Sequence, residues 1–252
     1  MTLIDNATDQ FEKFKKLLAE EKYDAIRDPV NYDIVELTYP FGKRLTYQPK
    51  NKEQISDLNF LRGVKIDPKQ KSIADIKLQK QPNSWLDAVR ITELNPFLMS
   101  QSHNEFLELG FREPKLLEYY KSTNLFKRVR GVDVVEVNVA APLNAGYDVE
   151  LSDLNRICES DLDLSSVTLC ISYHCFEHLY DSFCTIQEIV KRLGDGCTMH
   201  FEVPIEGHSL PRIRYGHLFS FEKHDLTKML ELSNVKIIRS RISDVERVLA
   251  KK

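Results

Sequence analysis

His174, Glu177 and His178 stand at positions i, i+3 and i+4, a spacing that on a helix would put two imidazoles and a carboxylate on one face. Such a face suits two kinds of chemistry. One is a general base oriented by a carboxylate, since imidazole titrates near neutral pH. The other is a divalent metal held by His174, Glu177 and His178 that acidifies a bound hydroxyl. A structural role, with His178 only orienting its helix, is a third reading. His217 is a second candidate base. It ends the stretch Arg212-Ile213-Arg214-Tyr215-Gly216-His217, whose two arginines could grip a phosphate or carboxylate. The string His174-x-x-Glu177-His178 also matches the inverted zinc-peptidase pattern, but that chemistry needs a third ligand on a later helix and a substrate cleft.

The elements around these residues alternate between short apolar strands and helical segments from about residue 103, the pattern of a parallel sheet with crossover helices. Strands are expected at 106–109, 129–132, 167–172 and 199–203. An amphipathic helix is expected at 181–193, closed by Gly194-Asp195-Gly196. Phe106-Leu107-Glu108-Leu109-Gly110 is a strand ending in acid-x-Gly. The next strand ends in Gly131-Val132-Asp133, 23 residues after Gly110. A glycine there lets the backbone approach a nucleoside cofactor, and a strand-end carboxylate can accept both ribose hydroxyls.

Three further passages carry a family resemblance. Leu169-Cys170-Ile171-Ser172-Tyr173-His174-Cys175-Phe176-Glu177-His178-Leu179 resembles the fourth strand and Glu-His-Leu of class I S-adenosylmethionine-dependent methyltransferases. Val190-Lys191-Arg192-Leu193-Gly194-Asp195-Gly196 with Phe201-Glu202-Val203-Pro204 is similar to that family's Leu-x-x-Gly-Gly, strand, Pro passage. His217-Leu218-Phe219-Ser220-Phe221 with Asp225-Leu226 and Leu230 is similar to the segment before its last strands, here 235–238. The resemblance covers about residues 104–240. It implies a Rossmann-like, doubly wound α/β sheet that binds S-adenosylmethionine. Glu108 and Gly110 would then cradle the methionine part, with Asp133 on the ribose. Asp153-Leu154 would meet the adenine, and Ser172, Tyr173 and His174 would line the cofactor. The glycine-rich loop of the family is reduced to Gly110-Phe111-Arg112-Glu113-Pro114, where Arg112 could instead pair with the cofactor carboxylate. Val134-Val135-Glu136-Val137-Asn138 is poor helix material where a crossover helix is expected.

Upstream, residues 1–100 read as an α+β extension or cap, and 101–252 as the cofactor-binding domain. A helix is expected at 7–22 and a hairpin over 33–47 around Pro40-Phe41-Gly42. A helix opening at Ser84 should be interrupted by Asn95-Pro96. Residues 43–80 carry ten Lys/Arg against four Asp/Glu, while the whole chain has a formal charge of −3. That balance and the lack of an amino-group methylation motif weigh against nucleic acid as substrate. No apolar run is long enough to span a bilayer, and five cysteines without C-x-x-C spacing read as reduced core thiols of a cytoplasmic protein. The expectation is methyl transfer to the oxygen of a small hydroxylated acceptor, such as a sugar or glycan precursor, in some cases phosphate-bearing. A divalent ion and a homodimer are both compatible with it. The alternatives are a nucleic-acid methyltransferase using the basic segment, and a catalytically inactive binding module.

Overall fold

A computed structural model describes residues 32–49, 85–98, 103–207 and 217–252. The helix expected at 7–22, most of the basic segment, and Arg212 and Arg214 lie outside the described residues. The order of elements is β1 (Tyr32–Tyr39), β2 (Gly42–Pro49), α1 (Trp85–Leu98), β3 (His103–Leu109), α2 (Lys115–Thr123), β4 (Phe126–Asp133), α3 (Glu136–Asn144), β5 (Asp148–Leu151), β6 (Val167–Tyr173), α4 (Ser182–Arg192), β7 (Thr198–Pro204), α5 (Asp225–Leu232), β8 (Lys236–Ile242) and β9 (Val245–Lys251). Short 3-10 turns at Leu154–Glu159 and Phe176–His178 follow β5 and β6.

Seven strands form one sheet in the order β5-β4-β3-β6-β7-β9-β8, with β9 antiparallel to both neighbours. From β3 the chain winds outward through β4 to β5, then returns to β6 and winds the other way. The switch point therefore lies between β3 and β6, where the carboxyl ends of parallel strands leave a crevice for a ligand. Apolar side chains cover both faces. Ile91 and Leu94 of α1 and Leu117 and Tyr120 of α2 pack on one, and Phe183 and Ile186 of α4 with Leu226 and Met229 of α5 pack on the other.

Three expectations need correction. Helix α1 runs through Pro96 to Leu98, because Asn95, Pro96 and Thr92 are exposed and the hydrogen bond Pro96 cannot donate is lost on the water side. Helix α3 forms despite its valines. Val139 and Pro142 are buried, and the Asp133 carboxylate accepts the Val135 N–H just before the helix, so packing overrides propensity. Two of the five thiols, Cys158 and Cys184, are exposed; Cys170, Cys175 and Cys197 are buried, and all five are free.

The β1–β2 hairpin turns at Pro40-Phe41, with Gly42 at φ 126°, and docks on the sheet domain. Arg44 makes a two-pronged pair with Asp225, itself fully buried. Thr46 Oγ1 donates to the carbonyls of Tyr180 and Leu218, and Tyr47 N–H donates to Leu218 O at 3.0 Å. Tyr39 stacks on Phe41 and meets Phe183 edge-on. A chain starting at residue 85 would leave Asp225 without its guanidinium and bare the aromatic patch. Its thermal midpoint should fall by at least about 5 °C. A truncated chain melting with the full one would show that the hairpin only rests on the domain.

Candidate functional site

The chain is sharply bent where β3 ends. Gly110 adopts φ 71°, its N–H donates to Val132 O at 2.7 Å, and a Cβ there would lie 2.6 Å from Cys175 Sγ. Glycine is thus required by the close approach of β3 and the turn after β6. Arg112 then takes a left-handed φ of 44°, a conformation a second glycine would adopt without strain. Its N–H donates to Asp133 Oδ2 at 2.9 Å, while Asp133 Oδ1 accepts the Val135 N–H at 2.8 Å. The buried carboxylate holds the two loops on either side of the crevice.

A cleft opens there. Gly110, Val132, Asp133 and Val134 line it from the ends of β3 and β4; Ser152, Asp153, Leu154 and Asn155 follow β5; Cys175, His178 and Leu179 follow β6. Asp153 caps its 3-10 turn by accepting the Asn155 N–H at 2.9 Å, and Asn155 Oδ1 in turn accepts the Tyr180 N–H. Of the residues expected at a cofactor, Gly110, Asp133, Asp153 and Leu154 line this cleft. Ser172 is fully buried, with its hydroxyl on Leu109 O, and Tyr173 and Glu108 lie on the far face of the sheet under α1 and α2. Ser152, Asn155 and Leu179 were missed. They sit on irregular backbone, where no periodicity marks them.

The expected single helical face of His174, Glu177 and His178 does not form. His174 sits at φ 52° just past β6, and only residues 176–178 make a helical turn. His174 lies between two carboxylates, with Nδ1 3.4 Å from Glu177 and Nε2 3.1 Å from Glu202. Burial opposes its charge, but the pairing with Glu177 and Glu202 prevails and raises its pKa to about 9. The two carboxylates thus favour its charged form and hold its proton between them. Burial would likewise raise Glu202, yet His174, Arg90 and Arg247 hold it well below the usual carboxylate range. Around it Glu93 meets Arg241 and Arg247, and His200 bridges Tyr173 (Nδ1, 2.7 Å) to Glu93 (Nε2, 3.4 Å).

This arrangement sets a sign for pH dependence. A histidine whose folded pKa is raised from 6.5 to about 9 stabilises the fold fully below pH 6.5 and loses that contribution as pH rises through 9. The thermal midpoint should fall by a few degrees between those values in the native protein. His174→Gln should flatten the fall, and an unchanged slope would remove His174 as its origin.

The groups that do converge are Glu177, His178 and His217. One ligand-capable atom of each lies within 4.8 Å of the other two, and the His178 and His217 rings meet edge-on at 5.0 Å. His217 Nδ1 lies 2.7 Å from Glu206 Oε1, and the carboxylate accepts the Nδ1 proton. Glu206 was not anticipated from the sequence, because it lies in the turn after β7 with no motif around it.

No family model and no curated protein matches the chain. Solved structures do. One is an S-adenosylmethionine dependent methyltransferase from Mesorhizobium loti, with TM-score 0.53 and 14% identity, covering 66% of this chain and 100% of that one. Another is the protein solved with the Trm112 methyltransferase activator of Haloferax volcanii, with TM-score 0.52 and 12% identity, covering 66% and 94%. A third is the cyclase SpnF, with TM-score 0.52 and 13% identity, covering 68% and 84%. The likeness is one of fold, the Rossmann-like sheet of class I methyltransferases.

Proposed function

We propose that the chain binds S-adenosylmethionine in the cleft at the β3/β6 switch point and transfers its methyl group to the oxygen of a small hydroxylated acceptor. The observation that carries this reading is that Gly110, Asp133 and Asp153, from the ends of three neighbouring parallel strands, line one cleft with His178 across it. Asp133 would receive the ribose hydroxyls at the end of β4. Asp153 and Leu154 would meet the adenine, and Arg112, exposed at the loop, would meet the carboxylate. When bound, the cofactor supplies a methyl group on a sulfonium for in-line displacement, so the chain's task is alignment and removal of the acceptor proton. The corner formed by His178, His217 and Glu177 borders that cleft and is where the proton would be lost.

The N-terminal extension would close the acceptor side, since Tyr47 of its hairpin bonds to Leu218, next to His217. The same fold serves a cyclase, so binding and transfer are tested apart. Calorimetry with S-adenosylmethionine and S-adenosylhomocysteine reads the first. Release of S-adenosylhomocysteine across sugars, nucleotide sugars and quinone-type phenols reads the second. Absence of cofactor binding would end the reading; binding without release on any acceptor would favour an inactive module.

A further inference from the structure

Glu177 is 1% exposed, and among the described residues neither of its carboxylate oxygens has a hydrogen bond of ordinary geometry. Its nearest cationic or donor groups are His174 Nδ1 at 3.4 Å, which is shared with Glu202, and His178 Nε2 at 3.9 Å. A carboxylate taken out of water is ordinarily paired or bound to a metal. Glu177 is paired in part by the His174 imidazolium, and its carboxylate also lies within 4.8 Å of ligand atoms on His178 and His217. Leu218 and Phe219 donate their N–H groups to the Glu177 backbone carbonyl at 2.7 and 3.1 Å, which fastens the strand carrying His217 to the turn carrying Glu177 and His178. Glu206 holds the His217 ring by Nδ1, the carboxylate-histidine arrangement that outer-sphere partners give to metal-bound imidazoles.

The geometry points to a mononuclear divalent transition-metal site, of the zinc class, formed by Glu177, His178 and His217 with Glu206 orienting His217. Two imidazoles and one carboxylate suit zinc-like ions, whereas magnesium prefers all-oxygen surroundings. Ligand atoms up to 4.8 Å apart need to close by about 1 Å to share an ion with bonds near 2.1 Å. Three protein ligands leave one position open toward the cleft that His178 lines, where the oxygen of a hydroxylated acceptor could bind. The assignment deepens the proposed activation of the acceptor, but ion binding is measured without cofactor or acceptor, so either can fail alone.

The test uses the full chain, stripped with a chelator, dialysed, and titrated with cobalt(II) chloride. One equivalent should bind with the visible absorption of a four- or five-coordinate ion, zinc should displace it, and millimolar magnesium should not. His217→Ala and Glu177→Gln should each weaken binding at least about tenfold, and Glu206→Gln by about 10- to 100-fold. Thermal melts of each variant confirm that it is folded, and His217→Ala, at a half-buried position, carries the decision if Glu177→Gln unfolds. Absence of stoichiometric cobalt binding would overturn the site, as would binding that persists undiminished in His217→Ala.

Discussion

Replacing Asp133 by Ala is expected to weaken affinity for S-adenosylmethionine and S-adenosylhomocysteine by at least about 100-fold. Hydrogen bonds to a charged group contribute about 1.5 to 3 kcal/mol each, and two are removed if both ribose hydroxyls bind there. The substitution also has a cost in the unliganded protein. Asp133 accepts the N–H groups of Arg112 and Val135, so alanine strands the buried Val135 N–H, at about 1 to 3 kcal/mol, and leaves that of the exposed Arg112 to water. Asparagine is no gentle substitute, because its amide nitrogen would face one of those N–H groups. Calorimetry measures the first effect and thermal melts the second. A variant that melts several degrees lower yet keeps native cofactor affinity would reduce Asp133 to a brace between loops.

Replacing His217 by Ala should lower turnover by about 10²- to 10⁴-fold with little change in cofactor affinity, because His217 faces the acceptor corner and does not line the cleft. Initial rates of S-adenosylhomocysteine release, compared with and without a chelator in the native chain, read this directly. Loss of rate on chelation together with loss in the variant assigns the work to the bound ion. A rate that ignores the chelator but falls in the variant assigns it to the imidazole as base. Turnover that survives both would move the proton's destination elsewhere.

The order of strands and helices from β3 to β7 was legible because buried parallel strands are apolar runs and α4 is strongly amphipathic. Strand β9 was not. Its sequence, Val-Glu-Arg-Val-Leu-Ala-Lys, reads as surface, yet it is an inner strand: Glu246 caps α5 by accepting from Leu226 and Thr227, and Arg247 pairs with Glu202. Charges that are buried only because each finds its partner carry no signature in a single sequence. For the same reason the link between Glu206 and His217 was invisible. The spacing of His174, Glu177 and His178 predicts one helical face, but the turn after β6 is too short to be a helix, and only Glu177 and His178 stay together. It sends His174 toward Glu202 and leaves room for His217. The place of Asp133 at the end of β4 was legible, while its joining of two loops depends on backbone N–H groups that any residues could supply.

The cluster of Arg90, Glu93, Glu202 and Arg247 has a bearing on how the chain assembles. Arg90 and Glu93 lie on α1, Glu202 on β7 and Arg247 on β9, so its contacts bridge 112 residues from Arg90 to Glu202 and 154 from Glu93 to Arg247. Closing loops of that length is slow, and little rewards it until both ends are present. On the ribosome, α1 emerges long before β7, which brings Glu202 to Arg90 and His200 to Glu93, and β9 then adds Arg247 to both carboxylates. Seating α1 is therefore completed in two steps, the first with β7 and the second with the C-terminal strand.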